Sequence, residues 1–90
     1  MNDNLNKKRI KLWTPVTYRI DVEGHLNESW SDCLAGMRIS TRKRLDQTTV
    51  TTLVGLLRDQ AELSGVLNSL YDLHRPIVKV EVVNGDYRKR

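Results

Sequence analysis

Three observations predict an α+β fold. Apolar and polar residues alternate over 16–23, 37–41, 48–57 and 78–83, the period of a half-buried strand. Between the last two of these, leucines and a valine recur every three or four residues, the period of a helix. Between the first two, 27–36 offers cap residues around a turn or two of helix. The order strand, helix, strand, strand, helix, strand is the ferredoxin-like split βαβ pattern (β-α-β-β-α-β). It implies a four-stranded antiparallel sheet with two helices on one face. Right-handed crossovers then place the first and third strands at the centre and the second and fourth at the edges.

In the first strand Val16, Tyr18, Ile20 and Val22 face one way and Thr17, Arg19, Asp21 and Glu23 the other; Gly24 ends it. Asn27 or Ser29 is placed to cap the short helical segment, which Gly36 closes. Trp30, Cys33 and Leu34 fall on one side of it and are expected to pack on the sheet, Cys33 as a small buried hydrophobe. Met37, Ile39 and Thr41 alternate with Arg38 and Ser40 in the second strand. The run 42–47 reads as the charged loop of a hairpin. The third strand, 48–57, is rich in Thr and Val, and from Leu53 to Leu57 both faces are apolar apart from Gly55, as expected of a central strand covered on both sides. Gly55 implies a bulge or a close backbone approach, with Gly65 of the helix as the expected neighbour.

The helix is expected over about 60–74. Asp59 and Glu62 have the spacing of a capping box. Leu63, Val66, Leu67, Leu70, Leu73 and His74 form one stripe, and His74 and Arg75 sit where the last turn favours positive charge. Pro76 stops the helix, and Val78, Val80 and Val82 then give the last strand an apolar face.

Ninety residues make one small domain, expected over 14–84, with a basic arm at 1–13 and a basic tail at 85–90. A single cysteine permits no intrachain disulfide, and no residue pattern suggests a metal or a cofactor. Self-association is therefore the expected source of further burial, most simply as a homodimer. No apolar run is long enough to cross a bilayer, and the basic N-terminal residues are not followed by a signal-peptide core. A cytoplasmic location without membrane contact is expected. The net charge of +4 is concentrated in Lys7, Lys8, Arg9 and Lys11, in Arg42, Lys43 and Arg44, and in Arg88, Lys89 and Arg90. These residues are solvated surface in one reading and phosphate contacts to nucleic acid in another.

The run Tyr18-Arg19-Ile20-Asp21-Val22-Glu23-Gly24-His25-Leu26, Trp30, Thr52-Leu53-Val54-Gly55 and Asp59-Gln60-Ala61 with Leu63, Gly65, Leu67 and Asp72-Leu73 resembles a family of small bacterial proteins. Its marks are a strand ending in Gly-His-Leu and an Asp-Gln-Ala-x-Leu-x-Gly-x-Leu helix, and the similarity covers about 18–82. The resemblance implies a compact α+β domain and no settled activity. Leu56 stands where that family often has proline, and Cys33-Leu34 where it often has an aromatic pair.

No phosphate loop, paired-carboxylate site or nucleophile–base pair is legible, and no residue is assigned a catalytic role. His25 after the strand-ending glycine, Trp30, and the pair Asp59 and Gln60 at the helix start are candidate ligand or partner contacts. Each also has a structural reading, as loop residue, anchor, cap and exposed first-turn residue. Val54 and Leu56 are the candidate centre of an apolar patch on the helix-free face, ringed by Arg19, Asp21, Glu23, Lys79 and Glu81. A small interaction or regulatory module, homodimeric through its sheet and open to a protein partner, is the first expectation. The alternatives are a nucleic-acid-associated protein using the basic arms and a ligand-dependent enzyme of ferredoxin-like dimer type. Tyr18 is the only aromatic in the strands, unlike an RNA-recognition sheet.

Overall fold

The computed structural model describes residues 15–83. Strands β1 (Val16–Glu23), β2 (Arg38–Lys43), β3 (Thr49–Leu57) and β4 (Ile77–Val83) form one antiparallel sheet in the order β2-β3-β1-β4. β1 and β3 are central and β2 and β4 are the edges, as the crossover rule requires. A 3₁₀ helix (Glu28–Leu34) joins β1 to β2, and the helix α1 (Gln60–Asp72) joins β3 to β4. The fold is α+β with four strands and two helical segments. It does not meet the ferredoxin-like expectation in full, because the first crossover is a seven-residue 3₁₀ segment in place of an α-helix.

One core lies between the sheet and the helical layer. Tyr18, Ile20, Val22, Leu53 and Leu57 rise from the central strands and meet Leu26, Leu34, Met37, Ile39, Val66 and Leu70, with Leu63, Leu67 and Leu73 packed at its margin. The 3₁₀ helix contributes only Leu34; Cys33 is exposed and Trp30 is 39% exposed, so the expectation that all three pack on the sheet fails. The tight 3₁₀ pitch stacks residues three apart, which leaves too narrow a stripe to bury them all.

Asp59 caps α1 by accepting the Glu62 N–H at 2.8 Å. The return leg differs from the usual box: Glu62 Oε1 accepts the Arg58 N–H, also at 2.8 Å. The helix ends at Asp72, two residues before the expected boundary. Arg75 N–H donates to the Leu70 carbonyl (3.1 Å) and His74 N–H to that of Tyr71 (2.9 Å), with His74 at φ 59°. This is a Schellman close, so His74 and Arg75 lie beyond the last turn and not within it.

β2 runs further than its apolar alternation, because Arg42 and Lys43 pair with Val50 and Thr49. The connecting turn is correspondingly short. Asp46 Oδ1 accepts both the backbone N–H (3.0 Å) and the hydroxyl (2.6 Å) of Thr48. Gly55 is a site of close approach, but to Met37: a Cβ there would lie 3.0 Å from Met37 Cγ and 3.1 Å from its Cα. Gly65 is exposed with nothing within 4 Å of such a Cβ, so the two glycines do not meet.

Candidate interaction surface

Residues opposite one another in an antiparallel sheet share a face. The register therefore puts Thr17, Arg19, Asp21 and Glu23 of β1, Val50, Thr52, Val54 and Leu56 of β3, Arg38, Ser40 and Arg42 of β2, and Lys79, Glu81 and Val83 of β4 on the helix-free face. β3 is thus central but covered by helix on one side only. Leu56 is 61% exposed and Val54 half-buried, in contrast to the expectation of cover on both sides.

The middle of this face is polar. Thr52 Oγ1 donates to Asp21 Oδ1 (2.7 Å) and accepts from Arg42 (2.9 Å), while Arg19 Nε lies 3.4 Å from the same carboxylate oxygen. Burial pushes the Asp21 carboxyl up, but the Thr52 hydrogen bond and the Arg19 and Arg42 charges outweigh it and hold it below its ordinary value. Arg44 pairs with Glu23 at 3.2 Å. Arg42 is therefore engaged in the network and Arg44 in its own pair with Glu23, and neither is the tip of an open loop. Lys43, opposite Thr49, is exposed on the other face of β2; the remaining basic candidates, Lys7, Lys8, Arg9, Lys11, Arg88, Lys89 and Arg90, lie outside the described residues.

The opposite side of β4 is apolar, and among the described residues it is left exposed. Val80 lies opposite Ile20 and Val82 opposite Tyr18, on the helix side of the sheet, yet they are 40% and 47% exposed. Ile77 and Val78 are exposed to the same degree. The helix α1 makes its main approach to β3 and the 3₁₀ helix, away from these side chains. Beside the head of β4, Tyr71, His74, Arg75 and Pro76 line an open cavity of about 290 Å³.

The remaining candidates are dispersed. His25 is exposed, and its contribution is its carbonyl, which accepts from Arg75 Nε at 3.2 Å. Trp30 and Cys33 line a second cavity of about 180 Å³ with Leu34, Ser69, Asp72 and Leu73. His25 lines neither cavity, so His25, His74 and Cys33 do not converge in these hollows. Asp59 is the cap, and Gln60 is not a free first-turn residue: its Nε2 donates to the buried Tyr18 hydroxyl at 2.7 Å. Among the described residues no group of three or more metal-ligating side chains forms, and no helix is long and apolar enough to cross a membrane. The alternation of β4 was visible in sequence, but its exposure was not, because alternation does not say whether a helix reaches that strand.

A family model described as a domain of unknown function (DUF8691) matches residues 17–81. No curated protein and no solved structure matches the chain.

Proposed function

The chain belongs to that family of domains of unknown function, and from this premise we propose that it is a small interaction module that works as a homodimer joined through its sheet. The supporting observation is β4, an edge strand in which the apolar side chains Ile77, Val78, Val80 and Val82 are 40–47% exposed. Apolar area clustered in this way on a small domain favours a partner. Light scattering at tens of micromolar is expected to give twice the chain mass, and a monomer mass would sink the reading. We propose further that the small bacterial proteins sharing the Gly-His-Leu and Asp-Gln-Ala marks belong to the same family. An exposed thiol at Cys33 suits the reducing cytoplasm.

A second reading has its own observation. Arg19, Arg38, Arg42 and Lys79 gather on the helix-free face from three strands. Nucleic acid held there and by the basic arms would bind with an affinity that falls steeply as salt rises. Deleting 1–11 together with 87–90 is expected to weaken binding without unfolding the domain. Absence of binding at low salt rules this reading out.

A further inference from the structure

We infer that the partner of β4 is the β4 of a second copy, paired antiparallel about a two-fold axis through Val80. This rests on the homodimer reading and names its contact. Among the described residues β4 has a neighbouring strand, β1, on one side only. Its sequence, Ile77-Val78-Lys79-Val80-Glu81-Val82-Val83, is self-complementary about its centre.

With Val80 opposite the partner's Val80, Lys79 stands opposite the partner's Glu81 and Glu81 opposite the partner's Lys79. Both pairs lie on the helix-free face. Val78 meets the partner's Val82, apolar against apolar, and at the ends Ile77 comes opposite the partner's Val83. Moving the axis to Lys79 or to Glu81 sets like charges against each other, which is destabilising. Slipping by one residue sets the valine row against the charged row. Only the Val80 register satisfies both faces, and an isologous contact requires such self-complementarity.

In the single chain Lys79 Nζ sits 3.6 Å from Glu81 Oε1, with the two side chains 52% and 43% exposed, so both are at hand to turn toward a partner. Edge strands that resist pairing place a charge in the path of an incoming strand. Here the charge of Lys79 is matched by Glu81 on the same face, so the edge does not repel its own copy. The register shift between Asp21 and Val22 makes Val78 the extra residue of β4. It leaves the ladder regular from Lys79 onward, over the charged pairs that define the register.

The test is a charge exchange on the full chain, read by light scattering and analytical ultracentrifugation. Lys79→Glu and Glu81→Lys are each expected to weaken self-association at least about tenfold, since each sets two like-charged pairs opposite one another. Mixing the two variants is expected to restore a dimer, now a heterodimer, and the double exchange Lys79→Glu/Glu81→Lys is expected to restore the homodimer. Single variants that keep the parent dimer mass would overturn the β4 contact while leaving the homodimer reading intact. Weakened single variants that do not associate on mixing would overturn the register. A monomeric parent chain would overturn both. Circular dichroism checks that each variant is folded, and should a single variant unfold, the double exchange alone decides.

Discussion

Thr51 holds more of the structure than its place in a Thr-rich strand suggests. Fully buried, its hydroxyl accepts the Leu26 N–H at 3.1 Å and donates to the Gly24 carbonyl at 2.6 Å, with Thr41 Oγ1 at 3.2 Å. It thereby ties the turn after β1, where Gly24 takes φ 86°, to the central strand β3. Thr51→Val keeps the shape and removes the hydroxyl, leaving buried polar groups without partners. It is expected to cost about 1–3 kcal/mol in a urea titration, and Thr51→Ser much less. Asp21 makes a pH-dependent contribution. Because its folded pKa is lowered from 3.8, its stabilisation is present above that value and is lost as pH falls below it through the folded value. The melting temperature of Asp21→Asn is expected to fall less between neutral pH and pH about 3 than that of the parent chain. An equal fall in both would show that the Arg19–Asp21–Thr52–Arg42 network is not linked to folding.

At the scale of the element, the two glycines once paired in expectation should respond in opposite ways. Gly65→Ala meets open space on an exposed helix position and is expected to stabilise the domain by about 1 kcal/mol. Gly55→Ala drives a Cβ into the backbone of Met37 at 3.1 Å and is expected to destabilise it. Thermal melts of the two variants decide, and a stabilised Gly55→Ala would refute the close contact. Along α1, Leu70 is fully buried while Leu67 sits at the margin of the core. Leu70→Ala is accordingly expected to cost roughly 2–5 kcal/mol, more than Leu67→Ala. Asp59→Ala loses the cap for about 1 kcal/mol. Gln60→Ala is not silent, since it removes the partner of the Tyr18 hydroxyl, for about 0.5–1.5 kcal/mol.

For the whole molecule the open question of assembly reduces to two apolar surfaces on different faces of one sheet. Leu56 is the more exposed residue, but it stands alone beside half-buried Val54 in a charged field. β4 offers four exposed apolar residues, Ile77, Val78, Val80 and Val82, on a strand with a neighbour on one side only among the described residues. Leu56→Asp is therefore expected to leave the dimer mass unchanged, whereas Val80→Asp, on the β4 axis, is expected to halve it. Sedimentation of both variants at matched concentration separates the surfaces. Dissociation by Leu56→Asp alone would move the contact to the helix-free face.

Periodicity, caps and breakers are local properties, and they sufficed to determine the six elements, their order and the central position of β1 and β3. Alternation marked Val16, Tyr18, Ile20 and Val22 as core, and Asp59 was legible as a cap because an N-cap needs only its own next three residues. The extension of β2 through Arg42 and Lys43 was not legible, since it depends on a partner strand and not on the residues' own preferences. The same limit hid the bond from Gln60 to Tyr18, which joins residues 42 apart. It also hid the exposure of β4: Val80 shares the face and the alternation of Ile20, yet one is 40% exposed and the other fully buried. Hydrophobicity determines that a side chain gains by leaving water. Only the tertiary structure decided which valines leave it, because the 13-residue helix packs mainly on β3 and the 3₁₀ segment, and Val80 and Val82 of the last strand stay 40% and 47% exposed.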